Sequence, residues 1–315
     1  RVVFLPTSGG LLSRVLCEQV LLPIWCMRLR VEVLFCVTET APFFAFLPTV
    51  IMMRNLQLVA GKNSGYRTRI LRSLAKMSAR KAAAVVCVSE HAARLGQRVL
   101  GFESGKIHVV RHGVGEHFVR AHGQGSETED GRIPYILVVS SLYRHKRIDT
   151  LLTAMAQLID TDEFIGELVV AGRLVDPDYA RELERQSAAL GLEGRVRFVG
   201  EVPNQLLPKL YSGCTVFVFP STLESFGHPV VEAMAAGAPV CATDIPAVRE
   251  IAGAAAEYFP PDDAAALAKA LGRLLASAQL RNDLRARGSA QAAQLTWHQC
   301  AKSTAEILDG AREKR

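Results

Sequence analysis

The sequence predicts an α/β protein with two doubly wound domains, each built on a parallel sheet. The chain has 315 residues, which is long for one ordinary domain and sufficient for two domains with separate cores. Short β-branched runs alternate with longer helical patterns along most of the chain, as they do in βαβ units. Hydrophobic residues make up 49% of the chain and charged residues 22%, a composition typical of globular proteins.

The first predicted domain comprises residues 1–121. An apolar stretch at residues 15–27 contains Glu18, Gln19 and Pro23, so it is too short and too polar to span a bilayer and predicts a buried helix. Several other runs are continuously apolar, as in strands that helices cover on both faces. The predicted strands are Val2–Leu5, Val31–Val37, Thr49–Met53, Ala84–Ser89 and Ile107–Arg111.

A polar, Gly-rich segment at residues 122–132 predicts a linker, and a second domain at residues 133–290 follows it. Residues 291–315 predict a terminal helix that crosses back to the first domain. The predicted strands of the second domain are Tyr135–Val139, Leu168–Ala171, Val196–Val199, Thr215–Phe219 and Pro239–Ala242. The predicted helices lie near 147–160, 177–190, 203–212, 229–236 and 263–277. On the terminal helix, a shared buried face is predicted for Trp297, Ala301, Ala305 and Ile307.

Positive charge is concentrated in the first 120 residues. They hold 17 Lys and Arg against 6 Asp and Glu, a balance of +11, whereas the remainder holds 20 against 25, a balance of −5. A basic cluster at roughly helical spacing suits an anionic membrane surface or a phosphate-bearing acceptor, and a solvated helix face is the alternative. Nucleic acid is not predicted, because no aromatic residues interleave with the charges. The cluster consists of Arg67, Arg69, Arg72, Lys76, Arg80 and Lys81.

The cysteines and histidines give no sign of a metal centre. The seven cysteines are scattered in apolar surroundings without a CxxC pair, which predicts reduced core thiols in a cytoplasmic protein. His91, His108 and His112 lack the spacing of metal ligands. We therefore expect no metal and no cofactor, and a cytoplasmic location that includes peripheral attachment to the inner face of the cell membrane.

The most informative stretch runs from Val216 to Gly237. A buried strand ends at Pro220, a loop carries Glu224, and a helix begins at Pro229 with Glu232 in its first turn. The start of that helix would face the carboxyl edge of the sheet, where its dipole stabilises an anion such as a diphosphate. The two carboxylates would accept hydrogen bonds from sugar hydroxyls. The alternative is a solvated Glu224 and a Glu232 that complements the helix dipole.

Lys146 is a second candidate, because it opens a helix after a predicted strand and lies in a run of basic residues. This position favours phosphate binding over the alternative of an ordinary surface lysine.

The segment ESFGHPVVEAMAAGAPVCATDIPAVREI resembles the donor-site signature of glycosyltransferase family 4, whose pattern is Glu, seven residues, Glu, with Phe-Gly between them. Members of this family are retaining enzymes of the GT-B fold, in which two Rossmann-like domains face each other across a cleft. The segments SSLYRHKRIDTLLTA, VRFVGEV and VVRHGVGEHF resemble its phosphate-binding turn, base-binding strand and hinge entry. Upstream, PTVIMMRNLQL and AAAVVCVSEHAARL resemble bacterial mannosyltransferase-like members.

The resemblance implies a role for each matching residue. Glu232 would hold the ribose hydroxyls, Glu224 would contact the transferred sugar, and Lys146 would neutralise the diphosphate. The family often has Arg directly before the residue that is Leu142 here, whereas this chain has Ser141. Either Arg144 or Arg147 would supply the missing charge, and a solvated arginine is the alternative. Phe226, Gly227 and His228 would offer backbone N–H groups to sugar and phosphate. Val199, Gly200 and Glu201 would line the base.

The first domain departs from the family pattern, which normally begins with a strand and a Gly-rich loop near the donor phosphates. Residues 7–10 (TSGG) are a candidate for the loop, but the segment that follows resembles a later helix. We therefore expect the chain to start inside the first domain. Arg54 and Asn55, at the end of a strand, are then the candidates for the acceptor side of the cleft.

The implied activity is retaining, metal-independent transfer of a hexose, with mannose favoured, from a GDP- or UDP-linked donor. The acceptor would be a glycan or a lipid-linked precursor of cell-surface polysaccharide, such as lipopolysaccharide. Two alternatives stay open: a nucleotide-sugar-binding pseudoenzyme or fragment without turnover, and a GT-B nucleotide-sugar epimerase.

Overall fold

The computed structural model describes residues 13, 16–56, 59, 66–121, 133–161 and 164–313. Its contacts divide the chain into two units. Unit 1 comprises Arg1–His112 together with His298–Arg315, and unit 2 comprises Gly113–Trp297. The predicted strand at Val2–Leu5, the candidate loop at residues 7–10 and the predicted linker at residues 122–132 lie outside the described residues.

Unit 1 contains a four-stranded parallel sheet in the order β1-β2-β3-β4. Its central strands are buried along their whole length, as the apolar runs predicted. The strands are β1 (Leu34–Cys36), β2 (Thr49–Met53), β3 (Ala84–Cys87) and β4 (Ile107–Val109). The helices are α1 (Leu22–Arg28), which follows a π-helical turn at Cys17–Leu21, α2 (Tyr66–Lys81) and α3 (Glu90–Leu100).

The helix predicted at residues 15–27 is present, but the prediction that it is buried is wrong. Leu16, Val20 and Met27 expose 57%, 45% and 56% of their surface. The polar Gln19 turns towards the rest of unit 1 instead, where its amide donates to the carbonyl of Ala41 (3.3 Å) and accepts from the N–H of Phe43 (2.8 Å). Pro23 and Cys26 are buried on the same side as Gln19, so only one side of the helix faces the interior of unit 1.

Unit 2 contains a six-stranded parallel sheet in the order β10-β9-β8-β5-β6-β7. The chain moves outwards from β5 to β7, returns to β8 beside β5, and then continues in the other direction. This reversal makes the junction of β5 and β8 the switch point at which doubly wound sheets bind ligands. The strands are β5 (Tyr135–Val139), β6 (Glu167–Ala171), β7 (Val196–Gly200), β8 (Val216–Phe219), β9 (Val240–Thr243) and β10 (Ala256–Phe259).

The helices of unit 2 pack against this sheet around a core of buried aliphatic side chains. The helix predicted at 203–212 begins later, at Leu207, because residues 203–206 form a turn in which the N–H of Leu206 donates to the carbonyl of Pro203 (2.8 Å). The helices are α4 (Glu116–Arg120), α5 (Ile148–Asp160), α6 (Pro177–Ala189), α7 (Leu207–Gly213), α8 (His228–Ala235), α9 (Pro246–Ala252), α10 (Ala264–Ala276) and α11 (Ala278–Ala292).

The terminal helix α12 (Trp297–Glu313) is present, but its predicted buried face is wrong. Trp297 exposes 49% of its surface, and Ala301 and Ala305 are also exposed, whereas Cys300 and Ala311 are buried. Successive helical residues turn by about 100°, so Ala305 and Ile307, which are two positions apart, point to nearly opposite sides of the helix. All but the first residue of α12 group with unit 1.

Within the described ranges, every helix is too short or too polar to cross a bilayer.

Candidate functional site

Two loops meet at the switch point of unit 2. The first is the 3₁₀ turn Arg144–Lys146, which follows β5, and the second is the segment after β8. The carbonyl of His145 joins them, because it accepts a hydrogen bond from the N–H of Thr222 (2.9 Å) and another from the hydroxyl of the buried Ser221 (3.4 Å). The sequence therefore builds one continuous rim at the carboxyl ends of two neighbouring strands.

Lys146 and Glu224, which the sequence singled out separately, form an ion pair on this rim. The Nζ atom of Lys146 lies 2.5 Å from Oε1 of Glu224, and the two side chains are only 17% and 14% exposed. The ammonium group also lies 5.8 Å from the centre of the Phe219 ring, at the end of β8. An ammonium and a carboxylate thus share a largely shielded position, where electrostatic interactions are stronger than in water.

The helix α8 begins beside this pair. Gly227 precedes it with φ of 99°, and a Cβ atom there would lie 3.2 Å from Cδ1 of Ile251, so the chain needs glycine at this point. Glycine has no side chain with which to cap the helix. Gly237 ends the helix as predicted, in the arrangement in which the N–H of Ala238 donates to the carbonyl of Ala233 (2.9 Å). Because α8 begins directly after the loop that carries Glu224, the positive end of its dipole lies at the rim.

Phe226 and His228 flank the start of α8. Phe226 is buried, and its ring lies 5.1 Å from the imidazole of His228. On its other side His228 stacks on Trp297 at 6.2 Å with an interplanar angle of 19°. The contact between His228 and Trp297 was not predicted.

Glu232 lies on the second turn of α8, not on the first as predicted, because the helix begins at His228. Burial raises the pKa of this carboxyl group, while the hydroxyl of Tyr211 and the charge of His117 act in the opposite direction. Tyr211 donates to Oε2 of Glu232 at 3.0 Å. A carboxylate beyond the first turn contributes little to the helix dipole, which weakens that explanation of its presence.

The two arginines proposed to replace the missing phosphate charge are both paired within unit 2. Arg144 lies 2.8 Å from Glu182, and its guanidinium lies 5.4 Å from the centre of the Tyr179 ring. Arg147 lies 2.9 Å from Asp149 and 2.8 Å from Asp262, the latter a partner that sequence reasoning missed. Each of the two guanidinium groups therefore has a carboxylate partner within unit 2, as Lys146 has in Glu224.

Ser141 and the base-lining candidates lie along the same edge of the sheet. Ser141 follows β5 and is partly buried, and its carbonyl accepts from the N–H of Tyr143 at 2.9 Å. Val199, Gly200 and Glu201 are exposed at the carboxyl end of β7, where the carbonyl of Gly200 accepts from Gly172 at 2.7 Å. The structure thus places all of these candidates at carboxyl ends of strands in one sheet.

In unit 1, Arg54 and Asn55 follow β2 and have exposed side chains. Their backbone N–H groups both donate to Oε1 of Glu39, at 3.2 Å and 2.9 Å. Glu39 is 8% exposed and was not predicted to have a role. Its carboxylate fixes the backbone from which the two predicted side chains project.

The other side chains relevant to a site are the cysteines and the groups that could ligate a metal. Six of the seven cysteines are buried thiols, and Cys36 is partly buried. In the part of the chain that the structure describes, no three His, Cys, Asp or Glu side chains are grouped so as to hold a metal ion.

Comparisons with known proteins agree with this architecture. The family model described as "Glycosyl transferases group 1" matches residues 123–291, just over half of the chain, and the model described as "Glycosyltransferase Family 4" matches residues 2–117. The chain is 33% identical over 193 residues to the O-antigen chain mannosyltransferase RfbU of Salmonella typhimurium, which covers 61% of this chain and 51% of the relative. It is 32% identical over 171 residues to the O-antigen chain mannosyltransferase B of Escherichia coli, which covers 54% of this chain and 44% of the relative.

The chain thus spans about half the length of these curated relatives. Among solved structures, the Anabaena protein HepE, crystallised in complex with UDP and glucose, superposes with a TM-score of 0.75 at 21% identity, over 96% of this chain and 83% of that one. This similarity confirms the predicted GT-B fold, with its two parallel-sheet α/β domains. Because the first of these family models matches more than half of the chain and the second matches its N-terminal part, the chain belongs to the group 1 glycosyl transferases and to glycosyltransferase family 4.

Proposed function

We propose that this protein transfers a hexose from a nucleoside-diphosphate sugar to a glycan or lipid-linked acceptor, with retention of the anomeric configuration. The observation that carries the proposal is the contact between Lys146 and Glu224 at the switch point, next to the N-terminus of α8. One cation and one carboxylate at this position match the two halves of such a donor, a diphosphate and a sugar.

The diphosphate would bind between Lys146 and the start of α8. Both carry positive charge towards the same rim, the first as an ammonium and the second as a helix dipole with its N–H groups. As the bond to the sugar breaks, negative charge grows on the leaving diphosphate. Stabilising that charge is the largest contribution that such a site makes to the rate, and it requires no covalent nucleophile on the protein.

The two glutamates would bind different parts of the donor. Glu224 lies against Lys146, so its carboxylate would accept hydrogen bonds from hydroxyls of the transferred sugar, next to the diphosphate. Glu232 lies on the second turn of α8 and would accept hydrogen bonds from the ribose hydroxyls. Backbone N–H groups of Phe226, Gly227 and His228 would contact sugar and phosphate, and the rim after β7 would border the base.

The donor sugar is proposed to be mannose, on the basis of the relatives named as O-antigen mannosyltransferases. The acceptor would then belong to a cell-surface polysaccharide such as O-antigen. UDP-linked hexoses are the alternative donors, because HepE was crystallised with UDP and glucose. Arg54 and Asn55 of unit 1 are the proposed acceptor-side residues. The diphosphate charge would be met by Lys146 and α8, so we propose that the reaction needs no divalent metal.

A single-turnover assay tests the activity. The protein is incubated with radiolabelled GDP-mannose or UDP-glucose and a lipid-linked oligosaccharide, with and without a chelator, and the anomer of the product is assigned by NMR. Transfer with retention in both conditions supports the proposal. An epimerised nucleotide sugar indicates an epimerase, and bound donor that is recovered unchanged indicates a binding protein without turnover. If a chelator abolishes transfer and magnesium or manganese restores it, the metal-independent step is wrong.

We further propose that unit 1 attaches to an anionic membrane surface at the cytoplasmic face. The helix α2 contains no acidic residue, and its exposed positions include Arg69, Lys76, Arg80 and Lys81 beside Tyr66 and Met77. Lys81 donates to the carbonyl of Phe43 (2.9 Å), which ties this helix to a loop with two exposed aromatic rings. Phe44 and Phe46 expose 67% and 78% of their surface. Basic residues would attract the lipid headgroups while the aromatic rings enter the interface.

A further inference from the structure

We propose that Tyr211 is a positioning residue for Glu232: its hydroxyl holds one carboxylate oxygen, Oε2, and so presents the other, Oε1, to the nucleoside diphosphate as an ionised acceptor. This inference rests on the proposed role of Glu232 in binding the ribose. It assigns a function to a residue that the sequence motif does not include, since Tyr211 lies on α7, before β8.

Packing holds the ring of Tyr211 in place. The residue is 0% exposed, so it cannot itself contact a bound nucleotide. Its ring lies 5.2 Å from that of Phe217 and 5.9 Å from that of Phe118, in edge-to-face arrangements with interplanar angles of 70° and 66°. These contacts involve the ring alone. The hydroxyl, which reaches Glu232 at 3.0 Å, can therefore be removed without loss of the packing.

The chemistry of the contact has a direction. Burial raises the pKa of Tyr211 well above its ordinary value, so the phenol stays protonated and donates. Burial also raises the pKa of Glu232 and thereby favours its neutral form, which the hydrogen bond from Tyr211 opposes. A diol that donates hydrogen bonds binds best to an ionised carboxylate. The hydroxyl thus both orients the carboxylate and extends the pH range in which it can accept.

Other groups near α8 do not replace this hydroxyl. His117, on α4, also has an electrostatic influence that favours ionised Glu232, and its Nε2 atom lies 2.8 Å from Oδ1 of Asn204. Arg285 on α11 donates to the carbonyl of Gly237 at the other end of the helix. Arg249 on α9 pairs with Asp244. Of the contacts described for the carboxylate of Glu232, Tyr211 alone donates a hydrogen bond directly to it.

The test uses the substitution Tyr211→Phe, with Tyr135→Phe as the matched control. Tyr135 donates its hydroxyl to the carbonyl of Leu210, which also lies on α7, at 2.8 Å. Each variant loses one phenolic hydroxyl: that of Tyr211 belongs to α7, and that of Tyr135 contacts α7. Only Tyr211→Phe loses a contact with Glu232. Calorimetry measures the binding of GDP and UDP to the full chain across a pH series, for both single variants, Glu232→Gln and the double variant Y211F/E232Q.

The proposal predicts that Tyr211→Phe weakens binding about tenfold, as expected for a lost hydrogen bond to a charged group. The acid limb of the pH dependence should move to higher pH, and Tyr135→Phe should bind as the unsubstituted protein does. In the Glu232→Gln background, Tyr211→Phe should have no further effect on the pH dependence. Binding by Tyr211→Phe that matches Tyr135→Phe at every pH would overturn the inference.

A second measurement needs no ligand and therefore separates this inference from the proposed function. The ionisation of Glu232 is followed by carbon NMR of labelled glutamate side chains in both tyrosine variants. The inference predicts a higher pKa for Glu232 in Tyr211→Phe only, and an unchanged pKa would overturn it. If neither nucleotide binds to the unsubstituted protein, or if Glu232→Gln binds as well as the unsubstituted protein, the proposed function of Glu232 fails whatever the NMR shows.

Discussion

Replacing Lys146 with methionine should lower the free energy of unfolding of unit 2, because it leaves the carboxylate of Glu224 shielded and without its partner. Removal of one partner from a fully buried ion pair costs about 3–5 kcal/mol, and exposed pairs contribute about 0–1 kcal/mol. With side chains that are 17% and 14% exposed, this pair lies between those limits. We expect a loss of about 2 kcal/mol, since methionine keeps the apolar part of the side chain.

The assay is urea unfolding followed by hydrogen exchange of peptides from β8 and α5, which reports unit 2 separately from unit 1. The double variant K146M/E224Q should recover most of the loss, because no unpaired charge remains. Arg249→Met is the control. Arg249 and Asp244 form a pair whose side chains are 50% and 44% exposed, so its loss should cost less than about 1 kcal/mol.

The reasoning is refuted if Lys146→Met is as stable as the unsubstituted protein, or if the losses of K146M and E224Q simply add in the double variant. The same substitution should weaken binding of a nucleoside diphosphate much more than that of the nucleoside alone, because only the former carries the charge that Lys146 is proposed to meet.

Three further predictions concern other parts of the chain. Glu232→Gln should raise the melting temperature at neutral pH. The pKa of Glu232 is raised in the folded state, so the stability that protonation adds is present at low pH and is lost as the pH rises through that pKa, whereas glutamine carries no charge to bury. A variant whose melting temperature equals that of the unsubstituted protein from pH 4 to pH 8 would contradict this. Gly227→Ala should lose about 1–2 kcal/mol or more in urea unfolding, because φ is 99° and Ile251 limits the space, while Gly191→Ala, with φ of 67° and no atom within 4 Å of its Cβ, should lose less. Serine at both Phe44 and Phe46 should reduce sedimentation with anionic vesicles at low salt, and Ile165→Ser, which alters a 75% exposed residue of unit 2, should not; equal binding by both variants would exclude the aromatic contribution.

Local sequence signals were sufficient for most of unit 2 and for the individual site residues. β5 was predicted with its observed bounds, because an apolar run between polar segments defines a buried strand. The helix that follows Glu224 was predicted within one residue, because proline and glycine mark its ends. The contact between Lys146 and Glu224 was not predicted. It depends on β5 and β8 being neighbours, which follows from the strand order and not from either segment.

The sequence was less informative where a residue has a second role or where the pattern is short. Tyr211 has the pattern of an ordinary core aromatic, because nothing local indicates that its hydroxyl meets a carboxylate 21 positions later. The strand β10 was not predicted, because it has only four residues, two of them partly exposed, and therefore shows no clear alternation of apolar and polar residues. On α12 the wrong face was predicted, because apolar residues were grouped without regard to the helical angle between them.

The central claim is that the two glutamates of the motif bind different parts of one donor. Its most direct test is calorimetric binding of the nucleoside diphosphate, paired with transfer kinetics, for Glu224→Ala and Glu232→Ala in folded form. Glu184→Ala, on the exposed side of α6, is the control. We predict that Glu232→Ala raises both the Kd for the free diphosphate and the KM for donor, since a ribose contact exists in the ground state and the transition state alike. Glu224→Ala should leave the Kd almost unchanged and lower the rate of transfer, with a loss of about 1.5–3 kcal/mol for a charged hydrogen bond to the reacting sugar. If Glu224→Ala weakens the diphosphate as much as Glu232→Ala does, or if neither variant differs from Glu184→Ala, the assigned roles are contradicted.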